Sequence, residues 1–149
     1  MLKIQTGQDN PVLREKAKKV NEISAEIKRL ILDMKEIVES GPNDIGLAAP
    51  QVNKSLCIIV VQPDKNEKAM ALINPEIKKF STKKEIMPEG CLSLPNIIVP
   101  VERPFKITAR AVDTEGRKIK IRAEGLLARV IQHEVDHLNG ILIVDHKLL

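Results

Sequence analysis

The stretch Gln132-His133-Glu134-Val135-Asp136-His137 constrains the fold more than any other part of the chain. Its His-Glu-x-x-His spacing puts His133 and His137 one helical turn apart on the same face, where both imidazoles can reach a single metal ion. Glu134 falls one residue round the helix and can meet a water at that ion without being a ligand. The flanks are apolar on most sides: Leu126, Leu127, Val130, Ile131, Val135 and Leu138 describe a helix that must be buried. Asn139-Gly140 then supplies a C-terminal stop.

A buried helix with two ligands leaves a third to be found. In the common zinc proteases it lies downstream, as a Glu on a later helix or a His six residues on. Here Ile143 occupies that second position, and residues 138–149 offer only Asp145 and His146, with no room for another helix. The third ligand is therefore expected upstream, which argues against a protease.

Totals narrow the field further. A length of 149 residues suits one domain, expected to span residues 1–149. Aromatics are nearly absent, with no Trp, no Tyr and only Phe80 and Phe105. The core must be built from Ile, Leu and Val, and stacking platforms for single-stranded nucleic acid are unavailable, so no specific nucleic-acid partner is expected. A net charge of +4 with scattered lysines reads as solvated faces. No apolar run approaches the twenty or so residues of a membrane span, and Met1-Leu2-Lys3-Ile4 opens into mixed polar sequence without a signal peptide. Cys57 and Cys91 are too few for a disulfide framework and point to a reducing compartment, the cytoplasm by default.

Along the chain, Pro11 to Ala17 can start a short helix. A longer one follows Ser24 as N-cap, with Ile27, Leu30, Ile31, Met34, Ile37 and Val38 on one stripe, and stops at Ser40-Gly41-Pro42. It is read as scaffold packed on a sheet. Gly46-Leu47-Ala48-Ala49-Pro50-Gln51 is either a tight loop into a strand or a place of close backbone approach with Gln51 as a donor to an oxyanion. Residues 55–61 read as a buried strand with Cys57 as a core thiol, residues 69–75 as a second strand ending at Pro75, and residues 77–87 as a further strand or hairpin. Cys91, in the turn-rich Pro88-Glu89-Gly90-Cys91-Leu92-Ser93-Leu94-Pro95, is either a thiolate ligand held out on a loop or a half-buried free thiol. Residues 96–101 and 105–112 read as strands, and Asp113-Thr114-Glu115-Gly116 turns into a strand over 118–122. Residues 141–144 read as a last strand. The fold class is α+β: mainly antiparallel sheets around a buried C-terminal metal-binding helix, with an N-terminal scaffold helix.

Three stretches in fixed order, residues 46–51, Glu89-Gly90-Cys91-Leu92-Ser93 and residues 133–137, together resemble the signature motifs of the peptide deformylases. The resemblance runs from about Val12 to the end. It implies hydrolysis of the N-formyl group from N-formylmethionyl nascent polypeptides, and with it a ligand set of Cys91, His133 and His137 around one divalent ion. That ion is Fe(II) in most of the family, with Ni, Co or Zn able to replace it; mixed Cys/His sites accept several first-row ions. Glu134 is the implied general base and acid, and the Gln51 amide and Leu92 N–H the implied oxyanion donors. Ile45 and Gly46 are expected to pair with the substrate backbone, while Val130 and Gly90 line its pocket. Glu89, Arg103 and Asp136 are expected to orient ligands from behind, so that reversing the charge of Arg103 lowers metal retention.

Three departures from the family pattern stand out. Asp44 replaces a Gly two residues before Gly46, putting a carboxylate beside the expected peptide groove. Asn96 replaces a Gly after Pro95, and still tolerates unusual backbone angles. The chain ends at Leu149 without the C-terminal extension of many longer members. The resemblance leaves expectations of a monomer, of ribosome proximity, and of a bacterial or bacteriophage source. A metallo-amidase with another substrate and an inactive nascent-chain-binding relative are the competing readings; the presence of every ligand and of Glu134 weighs against the second.

Overall fold

The computed structural model describes residues 2–146. Met1 and residues 147–149, the two ends of the expected domain, lie outside the described residues. Helices α1 (Pro11–Arg14) and α2 (Ala25–Ser40) precede the strands. Strands β1 (Gly46–Ala48), β2 (Ile58–Val61), β3 (Met70–Phe80), β6 (Lys106–Val112) and β7 (Lys118–Glu124) form one antiparallel sheet in the order β1-β2-β3-β6-β7. Strands β4 (Lys84–Cys91) and β5 (Leu94–Pro104) pair only with each other, as a long hairpin, and helix α3 (Gly125–Leu138) follows β7. The fold is α+β, as read from the pattern of elements.

The unbroken Ile-Ile-Val-Val of β2 shows why the layers stack as they do. All four side chains are buried, so this strand must be covered on both faces. Ile59 and Val61 pack with Val130 and Ile131 of α3. Ile58 and Val60 point the other way, onto Leu30, Ile31, Met34 and Val38 of α2. The sheet is therefore the middle layer, and α3 lies between it and the rest of the molecule. Ser24 caps α2 by accepting from the Ile27 N–H at 3.2 Å, and Asn10 caps α1 in the same way through Val12.

Four local readings change. Pro75 does not end its strand. Asn74 adopts a left-handed conformation (φ 52°) within an irregularity of the β3–β6 register between Ile73 and Glu76, and its side chain bonds both the N–H and the C=O of Val20 at 2.9 Å. The missing proline N–H thus falls where the ladder is already interrupted. The residues from Ile77 to Met87 do not form a hairpin: the first belong to β3 and pair with β6, the later ones to β4 and pair with β5. Leu126, read as part of the buried stripe, is 45 % exposed in the first turn of α3.

The expected last strand over residues 141–144 is absent; a 3-10 turn, Ile143–Asp145, stands there. Gly140 (φ 73°) redirects the chain after α3, and Leu142 and Ile143 bury against Leu13, Leu94 and Val101 beneath the hairpin. The Leu142 N–H donates to the Asp145 carboxylate at 2.8 Å rather than to a sheet edge, and Asp145 in turn holds Arg14 at 3.2 Å. An apolar run of this length is ambiguous by periodicity alone.

Gly140 is required twice over: its φ is left-handed, and a Cβ there would lie 2.4 Å from the Arg14 carbonyl oxygen. Gly140→Ala is expected to cost about 2 kcal/mol or more, a fall in Tm of roughly 4–8 °C by thermal unfolding. An unchanged Tm would show that the junction between α1 and the tail adapts freely.

Candidate metal centre

Two elements deliver the three candidate ligands. α3 presents His133 and His137 on one face, with ring centroids 5.1 Å apart. Cys91 is the last residue of β4, directly opposite Leu94 of β5, so its thiol sits at a tight hairpin turn rather than out on a loop. Paired strands on both sides fix it more firmly than the turn-rich sequence suggested. Cys91 Sγ lies 3.4 Å from His137 Nε2, and the ligand atoms of Cys91, His133 and His137 all fall within 4.8 Å of one another. Ligands about 2.0–2.3 Å from one tetrahedral ion stand about 3.5 Å apart, so the trio fits a single ion.

Two other observations fit a metal. Among the described residues, Glu134 Oε1 and His137 Nδ1 are the buried side-chain polar atoms without a hydrogen-bond partner. Both residues belong to this site, but His137 turns Nε2 toward Cys91, so it is the Glu134 oxygen that bears on what the site would hold. Around His133 the field favours positive charge: burial alone would lower its pKa, but Glu134, Cys91 and Glu89 together raise it to about 10. A cation held by the ring nitrogen satisfies the same field as a proton does. Burial and the positive charges of His133 and Arg103 keep His137 well below the ordinary imidazole range, neutral and free to donate a lone pair.

Behind the ligands lies a buried ionic cluster centred on Glu89. Its carboxylate accepts from His133 Nδ1 at 2.8 Å, leaving Nε2 of that ring for the ion. It also accepts from Arg103 Nε at 2.6 Å and from the second Arg103 terminal nitrogen at 2.9 Å. Desolvation opposes the charge on Glu89, yet the His133 and Arg103 bonds outweigh it and hold the carboxyl well below the usual range. The other Arg103 terminal nitrogen reaches Asp136 at 2.9 Å, and His146 meets the same Asp136 oxygen at 2.9 Å. Glu89, Arg103 and Asp136 are thus one network and not separate surface charges.

The sequence reading missed Arg129. Its guanidinium bonds Glu89 at 2.6 Å, the Val101 carbonyl at 3.0 Å and the Glu85 carbonyl at 2.8 Å, tying α3 to both strands of the hairpin. The available signal was a charged residue one turn before His133, on the same face of an otherwise apolar helix. Ser93, fully buried, closes the second motif but was assigned no role from the sequence.

In front of the trio opens a cleft of about 520 Å³ lined by Ile45, Gly46, Gln51, Gly90, Leu92 and Val130 among others. Gln51 lies in a 3-10 turn, Ala49–Val52, and is buried. Its Oε1 accepts from the Ala48 N–H at 3.0 Å, which turns Nε2 toward Ser93 Oγ at 3.1 Å and Cys91 Sγ at 3.5 Å. Gly46 is small for a reason seen only here: a Cβ would lie 2.6 Å from Glu134 Oε2 and 2.9 Å from Val130 Cγ1. Asp44 lines the cleft, with its carboxylate packed over Gly41, where a Cβ would collide with it. Asn96 has φ 65°, the left-handed angle expected of it. An ion held by the trio, with the Glu134 carboxylate within 4.0 Å of His133 Nε2 and amide donors around one cleft, would make a hydrolytic arrangement.

Arg103→Glu, with Arg103→Met as a milder companion, should lower metal affinity about 10- to 100-fold, read by metal content and chelator competition. Retention equal to the parent in both folded variants would remove Arg103 from any orienting role. A second expectation concerns Glu134, which burial raises from 4.5 to about 7 against the opposing pull of His133. The folded state holds that proton more tightly, so its stabilisation is present below about pH 4.5 and is lost as pH rises through about 7. In metal-free protein, the stability advantage of Glu134→Gln over the parent should therefore widen across that interval in denaturant titrations. A constant difference would contradict the shift.

The chain matches the family described as Polypeptide deformylase over residues 1–148. It is 52 % identical over 139 residues to the peptide deformylase of Dictyoglomus thermophilum, covering 93 % of this chain and 88 % of that one. Among solved structures, the peptide deformylase of Thermotoga maritima superposes with a TM-score of 0.93 at 40 % identity, over 100 % of this chain and 99 % of that one. A peptide deformylase from Synechococcus elongatus, in complex with actinonin, gives 0.91 at 39 % identity, over 99 % and 79 %. With the motifs, the fold and the trio in agreement, the chain belongs to the polypeptide deformylase family.

Proposed function

We propose that this chain hydrolyses the N-formyl group of N-formylmethionyl polypeptides, releasing formate and a free N-terminal amine, within one catalytic domain over residues 1–149. The observation that carries the reading is the convergence of Cys91, His133 and His137 beside a buried, unpartnered Glu134 oxygen in a family of deformylases. The trio would hold one divalent ion, Fe(II) natively and Ni, Co or Zn by replacement. Bound there, it would supply Lewis acidity and lower the pKa of water at the site.

The chain's own residues supply the rest. Glu134, raised by burial to about 7, accepts a proton from the attacking water and returns it to the departing amine. The Gln51 amide, held by the Ala48 N–H and Ser93, and the Leu92 N–H donate to the formyl oxygen as it gains charge. β1 is the edge strand of its sheet, and Ile45 and Gly46 offer it to the substrate backbone. Val130 and Gly90 form walls of the methionine pocket. Glu89, braced by Arg103 and Asp136, keeps His133 in the tautomer a ligand needs.

No helix among the described residues is long and apolar enough to cross a membrane. A monomer in the cytoplasm of a bacterium, or encoded by a bacteriophage and working near the ribosome, is the setting we infer.

Formate release from a short formylmethionyl peptide by protein prepared without oxygen and loaded with Fe(II) or Ni(II) tests the reading. Glu134→Ala should reduce it about 10²- to 10⁴-fold, and actinonin, bound by the Synechococcus elongatus relative, should inhibit it. Folded, metal-loaded protein that releases no formate would move the weight to another amide substrate.

A further inference from the structure

The main sheet is covered unevenly. Ile107, Ala109, Ala111 and Ala123 of β6 and β7 bury against α3, so the alternate side chains of both strands point the other way. On that side α2 packs over β1, β2 and β3. Apart from Val112, which reaches the α2 core, the two outer strands leave Lys106, Arg110, Lys118, Lys120 and Arg122 exposed there. Lys79 of β3, paired with Thr108, joins the same face. Cations scattered along the sequence are gathered by strand register into one basic surface.

Among the described residues, Lys79, Arg110, Lys118, Lys120 and Arg122 form no ion pair. The acids beside them are engaged elsewhere: Glu76 by Lys78 and Lys19, Glu124 by Lys106, and Asp113 of the adjoining turn by Arg117. Arg110 stands directly opposite Lys120, and like charges so placed weaken an antiparallel pair. Lys118, Lys120 and Arg122 recur at every second position, about 7 Å apart, in a row of roughly 14 Å. One strand of a B-form duplex carries about four charges over that length. A hollow of about 560 Å³, lined by Lys79, Ser81, Lys106, Thr108 and Arg122, opens at one end of the face. Repulsion kept within the fold in this way is relieved by a polyanion laid across it.

We propose that this face docks the phosphate backbone of duplex RNA without reading its bases. No aromatic side chain lies on it, since Phe80 pairs with Ile107 and belongs to the opposite face, so it offers no stack to a single strand. Nor does it carry the apolar band that would seat it in a membrane interface. The choice of RNA rests on the deformylase reading, because a nascent chain is made on RNA.

The test is fluorescence anisotropy of a short labelled RNA duplex titrated with the metal-loaded protein between about 50 and 200 mM salt. The parent should bind, and more weakly as salt rises. Lys120→Glu/Arg122→Glu should weaken binding about tenfold or more at the lower salt and reduce the logarithmic salt slope by about two. Lys54→Glu/Lys68→Glu makes the same charge change on exposed loops either side of β2, two strands from β6, and should alter affinity by no more than about twofold. Lys118→Gln/Lys120→Gln, expected to lose affinity in the same direction, keeps the test open if the reversal fails to fold. A parent that does not bind at the lower salt, or an equal loss in the control, overturns the proposal. So does binding about tenfold tighter to the matching DNA duplex or to phosphatidylglycerol vesicles than to the RNA. None of the substituted residues lines the cleft, so formate release from a short formylmethionyl peptide should stay within about twofold of the parent in each variant. RNA binding is read without substrate: an active protein that does not bind fails this inference alone, and one that binds but releases no formate fails the deformylase reading alone.

Discussion

The Glu89 carboxylate is the interaction on which the rest of the structure depends. It sits in the interior with three cationic or proton-donating partners, Arg103, Arg129 and His133, each from a different position in the chain. An ion pair of this kind adds little net stability compared with an apolar isostere, because desolvation offsets most of the attraction. Removing one partner is another matter, since the charge left behind remains buried. The cluster therefore specifies geometry more than it stabilises. It joins the hairpin that carries Cys91 to the helix that carries His133 and His137, and it sets the tautomer of His133 along the way.

The same helix meets an opposite demand on its other side. Val130 and Ile131 pack with the β2 side chains Ile59 and Val61. The candidate ligands His133 and His137 consequently stand on a rigid element fixed by an aliphatic core, which holds a site more accurately than a loop does. The absence of Trp and Tyr is no handicap here, since four consecutive β-branched residues of β2 serve both layers. Close approach of β1 completes the arrangement, and only glycine at position 46 leaves space for the Glu134 carboxylate beside it.

Much of this was legible beforehand for reasons that can be named. Helices α2 and α3 announce themselves because a 3.6-residue period and end signals such as Ser24 and Asn139-Gly140 are local properties. β2, β6 and β7 are legible from β-branched composition and the Asp113–Gly116 turn. Misreadings fell where local sequence is indifferent to what lies across from it. Pro75 looks like a strand end unless Val20 is known to satisfy Asn74. Residues 141–144 look like a strand unless Leu13 and Val101 are known to lie over them. Arg129 was passed over because no spacing rule says that a buried arginine four residues before a ligand will find Glu89.

Residue type and helical spacing carried the candidate chemistry locally: two histidines one turn apart, a carboxylate beside them, and an expectation that a third ligand lies upstream. Cys91 entered as that third candidate only through the resemblance of its motif to a known family. Only the tertiary structure decided that Cys91 closes a strand hairpin, that Glu89 gathers two arginines and a histidine, and that Gly46 is small to admit Glu134. Each of these depends on which surfaces meet across 40 or so residues of chain, as between Glu89 and Arg129, and hydrophobic burial chooses those meetings from the whole molecule at once.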